Sequence, residues 1–550
     1  MKAFTEPLLS LAGFEEMTKT AEKSSGLISV TGCIDAQKSQ MIYAFGGHRK
    51  NKLIVTFGEQ KAKELYDEYS FFDKEVVYYP SKDVLFYQSD IRGNLLTAER
   101  IRALKAIHEQ ERVTLVTTFD ALMNTMAPIE KMWENVLTLE QGQLLDLKEI
   151  QAALIRMGYE KEYQVQTMGQ FSVRGGILDV FPLTEENPIR IELWGDEIDT
   201  IRYFDCESQK SIENIDRVSI YPAAELVLSD EEKAGGIEKL KAEAKRVSDK
   251  LRKQMKTEEA HRVTVMADEL TEEWGELSMY AGMDAFLSYF FDERVGILDY
   301  FNPSDSLIFF DELTRCTEQG KLTETEFSES MKQRLAMGYI LPGQMNGLFT
   351  EKEIVAKLGK YSCIALAALD NKANGLHQLG SYGIHCQSVS PYNNSFELLI
   401  KDLKRYKKNG YRVILLSGSR TRAKRLSEDI TDQGITCFYT ENYDHELLEG
   451  QIMVCYGKVR RGFEYPILKF AVITESDIFG AQQKKKKRHR TYEGEKIQSF
   501  TDLSVGDYVV HENHGLGIYR GIEKLEVDKK VKDYIKIEYQ GGSNLYILAT

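Results

Sequence analysis

Ten prolines in 550 residues are too few for long extended linkers or a largely disordered chain. Close cysteine pairs are missing as well: the seven cysteines, at 33, 206, 316, 363, 386, 437 and 455, form no C-x-x-C. Odd in number and widely spaced, they argue against a disulfide framework or a thiolate zinc site and suit free thiols in a reducing cytoplasm. No apolar run reaches transmembrane length, and the start M-K-A-F-T-E-P lacks the apolar core of a signal peptide. These absences predict a cytoplasmic protein without membrane contact. Positive charge is not in excess either. At a net −14 the surface as a whole repels nucleic acid, so any DNA contact must be local. What is present is ordinary globular composition, 42% hydrophobic and 28% charged, in a chain long enough for about three to five domains.

Short apolar strands alternate with helical stretches over residues 1–145, which predicts an α/β domain with a parallel sheet. The strands include Leu27–Thr31, Leu53–Phe57, Val76–Tyr79 and Thr114–Thr117. Residues 146–225 change character: G-Q-F-S-V-R-G-G-I-L-D-V-F-P and I-R-I-E-L-W-G-D-E-I-D-T-I-R-Y-F-D alternate apolar and polar residues between Gly and Asp turns. That pattern predicts a mainly β, antiparallel insert. Residues 226–350 read as a second part of the α/β region, with a charged, solvated helix over Glu231–Glu258 and a return to α/β style at L-I-F-F-D-E-L, 307–313. Residues 351–480 read as a further α/β domain with strands at Ser362–Ala368, Arg412–Ser417 and Phe470–Thr474. A polar linker over 481–498 carries K-K-K-K-R-H-R. Short strands over 499–550 predict a small β-barrel, and the stop at Thr550, directly after a strand, predicts a longer parent protein.

Four patterns could carry function. L-I-S-V-T-G-C-I-D-A-Q-K-S-Q-M (27–41) nearly spells the phosphate loop G-x-x-x-x-G-K-S/T, with Gly32, Lys38 and Ser39 in place and Gln37 where the second glycine belongs. A side chain at 37 crowds the phosphate, and Asp35 would repel it. Lys38 and Ser39 still offer the charge and hydroxyl that a nucleotide and Mg²⁺ need, although ordinary helix-starting residues would look the same. Asp311 and Glu312, ending an apolar strand, have the shape of a Mg²⁺-binding strand end, or of a solubilising one. In the insert, Arg190 and Trp194 share strand parity with Glu192, and Arg174 precedes Gly175-Gly176. Arginine beside tryptophan on an open sheet face is hot-spot composition; the alternative is a sheet arginine paired with Glu192 or Asp196. Lys484, Lys485, Lys486, Lys487, Arg488 and Arg490 could track a DNA backbone weakly or form a solvated linker. Y-I-K-I-E-Y (534–539) alternates as either an edge strand open to another protein or an interior barrel strand.

Together these segments resemble the N-terminal half of the bacterial transcription-repair coupling factors. V-R-G-G-I-L-D-V-F-P (173–182) and I-E-L-W-G-D-E-I-D-T-I-R-Y-F-D (191–205) are similar to the module that family shares with the excision-repair protein UvrB. Y-Y-P-S-K-D-V-L-F-Y (78–87) and L-L-T-A-E-R-I-R-A-L (95–104) resemble the first part of its UvrB-like region. G-F-E-Y-P-I-L-K-F-A-V-I-T-E-S-D-I-F-G (462–480) resembles the lead-in to the next module. V-G-D-Y-V-V-H-E-N-H-G-L-G-I-Y-R-G (505–521) resembles the RNA-polymerase-interacting domain, a Tudor-like barrel.

The resemblance implies degenerate RecA/UvrB-like α/β modules that have lost nucleotide binding. It implies UvrA contacts at Arg174, Arg190 and Trp194, the last standing where the family has phenylalanine. It implies contact with the RNA polymerase β subunit along Tyr534, Ile535, Lys536, Ile537 and Glu538, with Ile535 and Ile537 as outward anchors. The whole protein would be an ATP-dependent DNA translocase that releases stalled polymerase. Its motor, with ATP and Mg²⁺ and most of the duplex-DNA contact, and an autoinhibitory C-terminal domain would lie beyond Thr550. For this stretch the expectation is a monomeric adaptor with no catalytic centre, cofactor or metal. Two rivals stand beside it: an active UvrB-like helicase using Lys38 and Asp311, and a simple polymerase-binding transcription regulator.

Overall fold

A computed structural model describes residues 1–46, 49–82, 94–276, 283–369, 374–480, 505–511, 515–527, 530–539 and 544–548. The first module is built on a seven-stranded sheet. Its order is Gln378–Gly383, Gly26–Thr31, Ser362–Leu366, Ser306–Asp311, Asn51–Thr56, Val113–Thr118, Val76–Tyr79. Every neighbouring pair is parallel. Strands covered on both faces need continuous apolar runs, and these have them. Leu53 and Val55 enter one apolar cluster while Ile54 between them enters the other, on the opposite face.

Two expectations change here. Ser362–Leu366 does not belong with the later α/β domain; it pairs with Gly26–Thr31 on one side and Ser306–Asp311 on the other. Gln378–Gly383, half exposed and rich in glycine, extends the same sheet. The boundary placed at residue 351 therefore moves beyond 383. Strand periodicity is local and carries no record of which sheet a strand joins.

The insert is a six-stranded sheet ordered Ser211–Ile215, Glu197–Phe204, Ile189–Trp194, Ile177–Val180, Gln170–Arg174, Glu160–Lys161. All its pairs are antiparallel except the last, which is parallel. Phe171, Leu178, Val180, Ile189, Ile191 and Ile201 line its buried face, with Ile150 and Leu154 of helix Leu147–Arg156 in the same cluster. Asp146 caps that helix, accepting from the amides of Lys148 and Glu149. Leu137–Glu140 pairs antiparallel with Arg217–Ile220, so the insert starts near 137 and not at 146.

Helices Asp230–Lys253 and Thr257–Glu276 form a hairpin with its own core, including Leu240, Ala244, Leu251, Ala260, Val263 and Trp274. The charged first helix is thus not merely solvated: it buries a stripe against its neighbours. The third module has a six-stranded sheet ordered Gln387–Ser388, Phe463–Tyr465, Phe470–Thr474, Arg412–Ser417, Ile452–Tyr456, Phe438–Tyr439. One face packs on its own helices Phe396–Lys408 and Arg420–Asp432. The other shares a core with the first module, joining Ile414, Met453 and Phe463 to Phe4, Met41 and Phe45.

Residues 505–548 give a separate antiparallel sheet of four described strands, in the order Tyr508–His511, Gly515–Val527, Lys530–Glu538, Asn544–Leu548. The basic tract Lys484–Lys487, Arg488 and Arg490 lies outside the described residues. All seven cysteines are free thiols. No described helix is long and apolar enough to cross a membrane.

Candidate functional site

The near-phosphate loop leaves its strand at Gly32, where φ is +78° and an added Cβ would lie 2.1 Å from the Ile384 carbonyl oxygen. Only glycine fits that turn. Helix Asp35–Gly46 follows. Lys38, fully buried, sends its ammonium to Asp311 Oδ1 at 2.5 Å, Glu312 Oε1 at 2.9 Å and Asp35 Oδ1 at 3.1 Å. Burial alone would lower its pKa, but the Asp311 and Glu312 carboxylates hold it above the ordinary lysine value. The other Asp311 oxygen accepts from Thr56 Oγ1 at 2.9 Å.

Three of the loop amides are occupied too. Those of Gly32 and Cys33 donate to the carbonyls of Ala368 and Ala367, and that of Gln37 donates to Ile34. The buried Gln37 side chain faces Tyr465 of the third module, whose hydroxyl lies 3.1 Å from Gln37 Oε1 and 3.3 Å from Gln40 Oε1. Ser39 Oγ is buried, with no hydrogen-bond partner among the described residues. Lys38, Asp311 and Glu312 are therefore brought together with Asp35, while Gly32 makes the turn, Gln37 faces the third module and Ser39 is buried. The Lys38, Asp311 and Glu312 charges are spent on one another, and the amides of Gly32, Cys33 and Gln37 on the chain itself.

The open face of the insert is a different kind of site. Asp179 sits on Ile177–Val180 opposite Arg190 in register, with its side chain 1% exposed. It accepts from Arg174 Nη2 at 2.8 Å, Arg190 Nε at 2.7 Å and Arg190 Nη2 at 2.8 Å. Arg190 also donates to Gln209 Oε1 at 2.8 Å and lies over the Phe204 ring, 4.3 Å from its centroid. Hydrogen bonding to Asp179 raises the Arg190 pKa above its ordinary value. The alternative pairing with Glu192 or Asp196 does not occur: Glu192 is held by Arg202 at 2.5 and 2.9 Å. Trp194 is 85% exposed where its strand enters the turn to Glu197. One buried carboxylate thus fixes two guanidiniums in place. Asp179 was missed from sequence. Its signal is an acid at outward parity in the otherwise apolar I-L-D-V.

In the terminal sheet, Lys530–Glu538 has paired neighbours on both sides and is an interior strand. Ile537 is 5% exposed in the core with Val509 and Tyr519, and Ile535 is partly buried against the same cluster. The expectation that both are outward anchors is corrected, because that strand face closes the small core. Lys536 and Glu538 are half exposed, and Glu538 pairs with Arg520; the side chain of Tyr534 lies outside the described residues. Among the described side chains of this sheet, the exposed apolar ones are instead Val505, Tyr508, Val510 and Leu516, with Val510 opposite Leu516 across the first pair of strands.

Two family models match this chain: the UvrB interaction domain over residues 137–226, and the CarD-like/TRCF RID domain over 503–549. The first covers the arginine–tryptophan face together with the boundary at 137. Among curated proteins, the transcription-repair-coupling factor of Bacillus subtilis is 30% identical over 497 residues, 90% of this chain and 42% of its own length. Those of Staphylococcus haemolyticus and Staphylococcus aureus are 29% and 28% identical, over 94% and 97% of this chain and 44% and 45% of theirs. The chain is homologous to the transcription-repair-coupling factors. It spans under half the length of the relatives it matches. The transcription-repair-coupling resemblance read from residues 173–205 and 505–521 falls within the two matched domains.

Proposed function

We propose that this stretch is the docking portion of a transcription-repair-coupling factor, joining RNA polymerase to nucleotide excision repair without a catalytic centre of its own. The insert sheet binds UvrA through Arg174, Arg190 and Trp194. The carrying observation is the buried Asp179 that holds both guanidiniums, with the exposed Trp194 further along the Arg190 strand, inside the match to the UvrB interaction domain. Preset guanidiniums and a rigid aromatic lose little side-chain entropy on binding, which is what a hot spot requires. The spent charges of the lapsed loop support a scaffold role for the first module. ATP, Mg²⁺ and DNA translocation then belong to parts of the relatives outside this match. Arg174→Ala with Arg190→Ala should weaken UvrA binding at least about tenfold in a pull-down titration; unchanged binding would refute the assignment.

The terminal sheet, read as a Tudor-like barrel, binds the polymerase β subunit. The strand 534–538 contributes its half-exposed Lys536 and Glu538, and the exposed Tyr508, Val510 and Leu516 supply apolar contact. Val510→Glu should cut polymerase binding about tenfold while the sheet stays folded, whereas Ile537→Glu should unfold it. Circular dichroism alongside the binding assay separates the two. Retained binding by Val510→Glu would place the contact elsewhere.

A further inference from the structure

The third module presents a basic edge that the docking account leaves unused. Its strands Arg412–Ser417 and Ile452–Tyr456 are parallel neighbours and end level, Ser417 opposite Tyr456. The carboxyl ends of such strands are where open α/β sheets take ligands. Ser417-Gly418-Ser419 leads from one strand into helix Arg420–Asp432. The loop G-K-V-R-R-G, 457–462, crosses the same edge, held by the Gly457 amide on Ser417 O at 3.0 Å and the Gly462 amide on Asp477 Oδ2 at 2.7 Å. Between them the loops and the helix expose Arg420, Arg422, Lys424, Lys458 and Arg461. Lys424, Lys458 and Arg461 form no ion pair among the described residues. Arg420 lies over the Tyr456 ring at 5.8 Å and 3.3 Å from Glu441.

Ser419 caps the helix, its hydroxyl accepting from the Arg422 amide, and the exposed cationic groups have no part in that cap. The helix has no acidic residue in its first turn and begins with arginines, against its own dipole. A second observation shows what the edge accepts. Glu475 places a carboxylate there: its Oε2 takes hydrogen bonds from Ser417 Oγ at 2.9 Å and the Gly418 amide at 2.7 Å, and its Oε1 pairs with Arg422. Hydroxyl, loop amide and guanidinium on one anion are the donors that phosphate oxygens use.

We propose that this edge binds a phosphodiester backbone, with the Glu475 carboxylate standing in for the innermost phosphate when no nucleic acid is bound. Aromatic Tyr456 beside Arg420 fits a nucleic-acid surface, and a positive edge is the local contact that a chain of net −14 needs.

The test is fluorescence anisotropy at low salt, with a short labelled DNA duplex and a labelled RNA strand. The protein is taken as the whole 550-residue chain. Arg420→Glu with Lys458→Glu and Arg461→Glu should weaken binding at least about tenfold and reduce the slope of log affinity against log salt by about 3. Glu475→Gln, which keeps an acceptor for Ser417 and Gly418 but removes the competing charge, should tighten binding about threefold; it decides the matter if the triple variant fails to fold. Tighter binding of RNA than of DNA would identify RNA as the source of the backbone. The proposal is overturned if the triple variant binds as the parent does, or if affinity falls only when the 484–490 tract is neutralised.

Discussion

Lys38 and Glu68 show how burial converts an ordinary charged residue into a structural one. The Lys38 ammonium serves three carboxylates, and removing it strands Asp311 away from water. Lys38→Met should therefore cost about 3–5 kcal/mol in urea unfolding, and adding Asp311→Asn should recover part of the loss. If Lys38→Met instead left stability intact and abolished a micromolar ATP affinity of the parent, the helicase rival would be correct. Glu68 lies where the first module meets the third, its Oε1 accepting from the Arg460 amide at 3.3 Å. Burial raises its pKa from 4.5 to about 7, with Arg460 and Lys61 only partly offsetting. A carboxyl that holds its proton more tightly when folded stabilises fully below the unfolded pKa and loses that contribution as pH rises through the folded one. Unfolding free energy should thus fall by up to about 3 kcal/mol between pH 4.5 and 8 from this group, and Glu68→Gln should flatten that part of the profile. Parallel profiles for parent and variant would contradict it. The residues of the lapsed loop were legible because a phosphate loop has fixed spacing. Tyr465 against Gln37 was not, since 428 positions separate them.

At the scale of elements, alternation on the insert strands placed Arg190 and Trp194 at the same parity of one strand, Ile189–Trp194. It could not choose the partner acid, because cross-strand register decides that, set for Arg174 by the turn at Gly175-Gly176 and for Arg190 by the 181–188 connection. The result is that Asp179, itself almost fully covered, positions both arginines. Asp179→Asn should weaken UvrA binding about fivefold through loosened guanidiniums, and lower the unfolding midpoint because Arg190 loses its charge partner. Binding equal to that of the parent would mean the arginines do not need it. The interior placement of Lys530–Glu538 was equally hidden: Y-I-K-I-E-Y reads the same for an edge strand and a central one, and only pairing on both sides decides it.

At the scale of the whole molecule, the first sheet is completed by strands from residues 26 to 383, with the β insert and the helical hairpin between its fourth and fifth strands in chain order. Composition and periodicity gave α/β modules and a β insert, but long-range pairing assigned Ser362–Leu366 to the first sheet. The lapsed loop and its helix became the seat of the third module, where Phe4, Met41 and Phe45 meet Met453 and Phe463. The proposed partner surfaces lie elsewhere, on the insert, the terminal sheet and the basic edge. The central claim concerns the insert. Calorimetric titration of UvrA into the parent chain and into Arg174→Ala with Arg190→Ala tests it most directly. The account predicts affinity lower by at least about tenfold in a chain still folded by circular dichroism, its unfolding midpoint lowered because Asp179 loses both partners; equal affinities would contradict it.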